Sequence, residues 1–416
     1  MIVYVTADGL GSPWIGNELR QVEVAGIPFR LYALRRPTRI SHEADWARII
    51  DEGTHAIYPL PILSLAHNSI LAPFRFGSRY FAALANALFG QRESFRTRVA
   101  AVAHFFVAAH WAITARRENI DHIHAQWAHS GCTVAMYGAW LLNRPFSFTG
   151  HAVDLFRQRV ALDDKIRRAA FIVCISEFHR RFFIEHGADP AKLVLAYCGI
   201  DLALFAPRRR REPDAVFTIL SAGRLIEKKG FQDLISACAI LKKRGSQFRC
   251  IIGGSGPLEG ALQEQIDALS LKDFVWLTGN ALTQESIPAF MSQGDVFCLP
   301  CVWARDQDVD GLPQLLMEAM ACGLPAISTR IVGIPDLIIH NETGLLVAPA
   351  SPDELASALQ FAIQNPDAMA NFGKRGLKHL RKKFDLGTSL EPLLERYRLA
   401  LGVQHRDASP KTHFVC

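Results

Sequence analysis

From residue 217 onward, short and continuously apolar runs alternate with amphipathic segments, and few folds accommodate that alternation. The apolar runs fall at 217–222, 248–252, 275–277, 296–299 and 325–328; helical patterns separate them at 231–244, 258–269, 286–292 and 314–321. A strand that is apolar at every position has no face for solvent, so it belongs in a parallel sheet covered by helices on both sides. The first half repeats the pattern less regularly. A strand at 2–6 leads through a loop containing Gly9 and Gly11 to a helix at 15–25 and a strand at 29–33. Further on come a strand end at 122–124, a helix at 131–142 and strands at 146–149 and 171–175. Strand, glycine turn, helix, strand is the βαβ unit. The sequence therefore predicts an α/β chain of two Rossmann-like, doubly wound domains facing each other across a central cleft, with ligands beyond the carboxyl ends of the strands.

A chain of 416 residues exceeds what one ordinary core holds together, which agrees with two domains. The composition breaks at Pro207 through Pro213, where two prolines flank four consecutive arginines, and this segment reads as a solvated linker. The expected division is a first domain over 1–206 and a second over 207–384. A helix over about 385–403 is expected to pack back on the first, and 404–416 to form a polar tail. The formal charge of +6 suits an anionic small molecule or a membrane surface; without a clustered basic stripe it does not suit nucleic acid. Nine scattered cysteines in an odd count read as reduced, buried thiols of a cytoplasmic protein, and Cys298 with Cys301 lacks the second ligand pair a zinc site needs. The opening MIVYVTADG has no basic region ahead of it and does not read as a signal peptide. The apolar stretch 99–115 carries two histidines and a tryptophan and reads as a buried helix. The stretch 69–90 mixes phenylalanines with Arg75 and Arg79. It fits either an anionic membrane surface or a core with snorkelling arginines.

Three groups of residues carry chemistry. In the first, Pro313 suits the start of a helix and Gly323 its end. The N–H groups near Gly311 and Leu312 then face the cleft, where a diphosphate is favoured. Asp310 lies just before that helix and Glu318 about two turns into it; their carboxylates can accept hydrogen bonds from the hydroxyls of a sugar ring and a ribose. In the second, Gly223 allows a tight turn after a strand, and Arg224 and Lys229 converge on one anion, with Lys228 as a solvated neighbour. Two cations so placed neutralise a leaving diphosphate as a glycosidic bond breaks. In the third, Gly253-Gly254-Ser255-Gly256-Pro257 ends a strand and opens a helix, a sign of close backbone packing beside phosphate.

Taken in order, these motifs resemble the retaining GT-B glycosyltransferases of family 4, the glycosyl transferases of group 1. The resemblance rests on Gly223-Arg224-Leu-x-x-x-Lys229-Gly230, Gly253-Gly-Ser-Gly-Pro-Leu258, Asp310-x7-Glu318-Ala-Met-Ala-x-Gly-x-Pro325 and Asn341-Glu-Thr-Gly-Leu-Leu-Val347. It spans about residues 120–400, and its style is nearest the exopolysaccharide and colanic-acid type. In the first half, Ser147-Phe-Thr-Gly-His151-Ala-Val-Asp154, Ile175-Ser176-Glu177 and Gly199-Ile-Asp201 match the family's first domain and hinge. The resemblance implies a first domain for the acceptor and a second for the nucleotide-sugar donor. It implies Arg224 and Lys229 on the donor diphosphate, Glu318 on the ribose, and Asp310 with the backbone of Gly311, Leu312 and Pro313 on the donor sugar. Gly223 and Gly254 would lie against the donor, His151 near the reacting centre, and Gly11 near acceptor and phosphate. The family usually has Glu where this chain has Asp310, and Gly9-Leu-Gly-Ser-Pro-Trp14 replaces the commoner glycine-rich first loop.

The implied reaction moves a sugar from a UDP- or GDP-linked donor to a lipid-linked or oligosaccharide acceptor of cell-surface polysaccharide synthesis, with retention. The setting is cytoplasmic, at the inner face of a membrane. No metal or other cofactor is expected. A front-face route, in which the departing phosphate takes the acceptor's proton, fits a sequence in which no facing carboxylate pair is evident. Two alternatives use the same fold, a nucleotide-sugar epimerase and a non-catalytic nucleotide-sugar-binding subunit. Asp306-Gln-Asp308-Val-Asp310 contains DxD twice, the pattern of metal-dependent single-domain transferases, against which the two-domain alternation argues. His122 and His124, alternating on a strand, read as packing rather than metal ligation.

Overall fold

A computed structural model describes residues 1–42, 44–157, 159–205 and 216–402. The arginine-rich linker at 207–213 and the tail from 404 lie outside the described residues.

Two wholly parallel sheets organise the chain. The first contains β1 (Ile2–Thr6), β2 (Phe29–Ala33), β3 (His55–Ala56), β4 (His122–Gln126), β5 (Phe146–Gly150), β6 (Phe171–Cys174) and β7 (Leu193–Leu195) in the order β3-β2-β1-β4-β5-β6-β7. The second contains β8 (Thr218–Ala222), β9 (Arg249–Gly253), β10 (Val275–Leu277), β11 (Val296–Leu299), β12 (Ala326–Thr329) and β13 (Gly344–Val347) in the order β10-β9-β8-β11-β12-β13. Every residue of β1, β4, β5, β6, β8, β11, β12 and β13 is buried, as continuous apolar runs between helical layers require. In each sheet the order reverses beside the first strand, between β1 and β4 and between β8 and β11. At such a switch point the helices leave opposite faces and a crevice opens at the carboxyl ends.

Most predicted elements begin and end within two residues of the observed ones. The predicted helix 286–292 is observed as Ile287–Met291, with Pro288 in its first turn and a 3₁₀ turn at Gln284–Ser286 leading into it. Three helices fall between 34 and 94, where no element was expected: Asp45–Glu52, which buries Ala47 and Ile50 on one face, and Ile62–Phe76 and Ser78–Phe89, which leave large apolar side chains exposed as well as buried. The predicted buried helix at 99–115 is a 21-residue helix, Phe95–Ala115, opened by a Ser94–Thr97 capping box. By length and composition it could cross a membrane, yet its C-terminal half is buried against the helix Ser130–Leu142. The helix Leu386–Ala400 returns to the first sheet, where Leu390, Leu393, Leu394 and Tyr397 pack among Ile2, Tyr4, Ile15 and Leu19. The eight described cysteines are free thiols, seven of them buried.

The halves touch beside the cleft. The backbone N–H of Glu177 donates to Asp336 at 2.7 Å, Arg157 pairs with Asp306 at 2.7 Å, and Ala152, Val309, Ile331 and Val332 form a small apolar cluster.

Candidate active site

Between the carboxyl ends of the two sheets lies a cleft of roughly 720 Å³. One wall comes from the first sheet: Trp14, Trp127, and His151 directly after β5. The other comes from the second: Gly223 and Arg224 after β8, Gly253 and Gly254 at the end of β9, and 309–315 with Glu318 after β11. The sequence-predicted residues His151, Gly223, Arg224, Lys229, Gly254, Asp310, Gly311, Leu312, Pro313 and Glu318 all line it. Gly11 does not. Its N–H bonds to the Asp8 carbonyl at 3.0 Å, an added Cβ would meet the Asp8 carboxylate, and the cleft surface next to that loop is Trp14.

The glycines act through space. A Cβ on Gly254 would lie 1.9 Å from the Gly223 carbonyl oxygen, and one on Gly230 would lie 1.9 Å from that of Pro300. Both residues have positive φ, +138° and +70°. The three loops that floor the cleft therefore approach one another more closely than any side chain permits.

The cations and acids of this floor meet directly. Lys229 Nζ lies 2.5 Å from Asp310 Oδ2, and Lys228 Nζ lies 3.2 Å from Asp310 Oδ1 and 3.1 Å from Asp308 Oδ1. Burial alone would raise the Asp310 carboxyl, but Lys229 and then Lys228 outweigh it and hold the group below the usual carboxylate range. Burial would likewise lower the Lys229 ammonium, and Asp310 reverses that and raises it. Lys228 is thus a correction to the sequence reading. The 3₁₀ turn Glu227–Lys229 aims both lysines at the aspartates, so Lys228 is a nearly buried second partner rather than a solvated neighbour. Arg224 is exposed along the cleft and pairs with no acid among the described residues. Helix Gln314–Ala321 has the expected bounds, is capped by Pro313, and carries Glu318 inward; burial pushes that carboxyl up to about 7 against the pull of Lys229.

On the facing wall, His151 packs against Trp127 at 4.6 Å and Trp14 at 5.7 Å between ring centroids. Burial holds it down at about 3, so it is neutral. Gln126 gives its amide N–H to Glu18 Oε2 at 2.7 Å, which turns its carbonyl oxygen toward His151 Nε2, 3.2 Å away. His151 therefore donates from Nε2 and keeps Nδ1 as an acceptor. Trp127 has φ +70°, a left-handed backbone that costs a bulky residue about 1–3 kcal/mol. Two contacts hold it: Lys165, fully buried, donates to the carbonyls of Ala128 and His129, and the Ala128 N–H donates to Asp154. Trp14, Trp127 and Lys165 were not among the predicted site residues.

The DxD carboxylates are taken up by cations of the protein: Asp306 faces Arg157, while Asp308 and Asp310 share Lys228 and Asp310 also holds Lys229. His122 and His124 share the Ser147 hydroxyl at 2.6 and 2.8 Å inside the sheet core, as packing residues do.

Two family models match the chain: Glycosyltransferase Family 4 over residues 92–204 and Glycosyl transferases group 1 over residues 205–379. WcaL of Escherichia coli strain K12, a glycosyltransferase named for colanic acid biosynthesis, is 35% identical over 56% of this chain and 59% of its own length. The amylovoran biosynthesis glycosyltransferase AmsK of Erwinia amylovora is 35% identical over 50% of this chain and 53% of its own. The chain thus spans little more than half the length of the curated relatives it matches. Among solved structures, Anabaena HepE in complex with UDP superposes with a TM-score of 0.69 at 18% identity, over 95% of this chain and 98% of that one. A sucrose-phosphate synthase from Thermosynechococcus elongatus superposes at 0.70 and 15% identity, over 97% of this chain and all of that one. At that level of identity the likeness is one of fold, and the fold is GT-B.

Proposed function

We propose, for a chain that belongs over residues 92–379 to the family 4 and group 1 glycosyltransferases, that it moves a sugar from a nucleoside-diphosphate donor to a saccharide or lipid-linked acceptor of polysaccharide biosynthesis, with retention. The observation that carries this reading is the pair of lysines and Arg224 gathered at the carboxyl end of β8, on the same wall as Asp310 and Glu318 of a cleft of nucleotide-sugar size. WcaL and AmsK, both named for exopolysaccharides, support the polysaccharide setting. HepE, solved with UDP, supports a nucleoside-diphosphate donor.

In this reaction the bond between the anomeric carbon and the diphosphate oxygen breaks while the acceptor oxygen bonds to the same face of that carbon. The acceptor's proton passes to the departing phosphate oxygen. Arg224 and Lys229 bind the diphosphate and spread its growing charge; Lys228 keeps Asp310 ionised when Lys229 turns to phosphate. Asp310 with the backbone at Gly311, Leu312 and Pro313 takes sugar hydroxyls, and Glu318 takes the ribose. Gly223 and Gly254 let the backbone reach the phosphates. His151, neutral and with a free Nδ1 lone pair, sits against the sugar near the reacting carbon. The lysines supply the charge a divalent cation would otherwise bring, so the reaction is metal-independent.

The test is a panel of UDP- and GDP-sugars incubated with membrane lipid extract, scored for released nucleoside diphosphate with and without excess EDTA. Acceptor-dependent release that survives EDTA is expected. Donor isomerised without acceptor would assign an epimerase, donor bound but never cleaved a binding subunit, and loss of release in EDTA a metal-dependent transferase; each would overturn this reading.

Donor binding should depend on pH through Glu318. The carboxyl sits near 7, so it is mostly ionised at pH 8 and mostly protonated at pH 6. Only the ionised form accepts hydrogen bonds from both ribose hydroxyls, so donor affinity weakens as pH falls. At pH 6 the donor KM should stand about tenfold above its alkaline limit, and about fivefold above its value at pH 7. Glu318→Gln should show a raised KM with a flat profile; an unchanged slope in that variant would remove Glu318 from the ribose.

A further inference from the structure

We infer that the helical outer layer of the first domain, helices Ile62–Phe76 and Ser78–Phe89 with the first turns of Phe95–Ala115, docks the protein in the plane of an anionic lipid surface. This inference goes beyond the sugar chemistry and does not rest on it.

The first observation is exposure. The inward faces of these helices are set by Asn68, Ala72 and Phe76 and by Tyr80, Ala83 and Ala87. The opposite faces are not polar. Along the first, Ile62, Ala66, Ile70 and Phe74 recur every four residues and face outward; along the second, Phe81, Ala85 and Phe89 do the same. Leu63 is 87% exposed, Phe74 84%, Phe89 81% and Phe95 78%. Contiguous large apolar side chains left in water mark an interaction surface, since isolated ones are ordinary but a field of them is not.

The second observation is charge. Residues 53–117 contain seven arginines and a single acid, Glu93, in a chain whose 416 residues hold 40 acids. At that density these 65 residues would carry about six. Glu93 is already occupied, accepting the N–H groups of Ala161 at 2.9 Å and Leu162 at 3.1 Å. Arg92 is buried against Asp164. Arg75, Arg79 and Arg96 pair with no acid among the described residues. Aromatic and aliphatic side chains interleaved with unpaired arginines fit a phospholipid interface: rings enter the acyl boundary, and guanidinium groups on long stems reach lipid phosphates. A second copy of the chain is a poorer occupant. A two-fold contact would set this arginine-rich surface against itself, with like charges facing and only the already occupied Glu93 to neutralise them. The surface also connects to the cleft. Arg92 holds Asp164 at 2.6 Å, and the adjacent Lys165 holds the carbonyls that follow Trp127.

Flotation of the full chain with vesicles of phosphatidylcholine alone, and of phosphatidylcholine mixed with phosphatidylglycerol, tests this without any donor sugar. Binding to the mixed vesicles that weakens as salt is raised is expected, with little binding to the neutral ones. Arg75→Gln with Arg79→Gln should weaken it roughly 25-fold, about fivefold for each arginine. Phe74→Ser with Phe89→Ser should weaken it at least tenfold, since each ring loses its buried area. All four positions are exposed or half-buried, and thermal melting should stay unchanged, which separates lost docking from lost folding. Equal binding to neutral vesicles, no binding to either, or full binding by both double variants would overturn the inference. So would a concentration-dependent dimer abolished by the phenylalanine variant, which would give the surface to a second copy.

Discussion

Lys229→Ala should lower kcat/KM about 10²–10³-fold while the protein melts where the wild type does. The size follows from what a preorganised charge does in a dry crevice. A donor group aimed at an oxygen that gains charge as a bond breaks acts at low dielectric and needs no reorganisation. Stability should hold because the acid left behind is not stranded: Lys228 Nζ stays 3.2 Å from Asp310 Oδ1. Lysine is also the residue the space allows. A Cβ on Gly223 would lie only 3.3 Å from Lys229 Cε, so the stem passes close against the loop after β8; a longer, planar guanidinium does not place its charge where the compact ammonium sits, and Lys229→Arg should recover little of the lost turnover. Steady-state turnover with a cleaved donor, beside melts of both variants, checks this. Lys229→Ala within threefold of wild type would take Lys229 off the leaving group, and a large fall in melting temperature would recast it as structural.

How far this site could be read from sequence depended on whether its parts were local. The approach of β8, β9 and β11 to one floor was legible, because Gly223 and Gly254 each lie at the end of an apolar run, and Pro313 and Gly323 bracket the helix that follows β11. Lys228 was misread because adjacent lysines carry no sign of which way each faces; the 3₁₀ turn Glu227–Lys229 and the aspartates some 80 residues away decide that. Trp127 was invisible for a related reason. Its positive φ is imposed from outside, by Lys165 and Asp154 gripping the next peptide unit, and local propensity argues against a left-handed tryptophan. Gly11 shows the converse error: a glycine in the expected loop, used here to clear Asp8 rather than to admit a ligand. In the fold, the helices Ile62–Phe76 and Ser78–Phe89 were not placed because their outward faces carry Ile62, Ile70, Phe74, Phe81 and Phe89, so the polar face expected of a surface helix is missing. The property that hid them as helices is the one that marks them as a docking surface.

Lys165→Met should destabilise the first domain by about 3–5 kcal/mol, the cost of removing one partner from a buried charge network. Lys165 has no exposed surface, and burial pulls its ammonium below the ordinary lysine value. It persists because Nζ donates to the carbonyls of Val160 at 2.5 Å, Ala128 at 2.7 Å and His129 at 3.1 Å, with Glu93 and Asp154 near enough to favour its charge. Methionine keeps the stem's volume and removes every donor. Three carbonyls then lose a buried partner, and Asp154, which burial already pushes up to about 7, loses a cation that draws it down. The same carbonyls belong to the turn that holds Trp127 against His151, so the loss should reach the cleft: the indole wall loosens and acceptor-dependent turnover falls further than donor binding. Urea melts followed by tryptophan fluorescence measure the first effect, and separate KM values for donor and acceptor measure the second. A loss under about 1 kcal/mol would mean water replaces the ammonium among those carbonyls, and Trp127 would then owe its conformation to Asp154 alone.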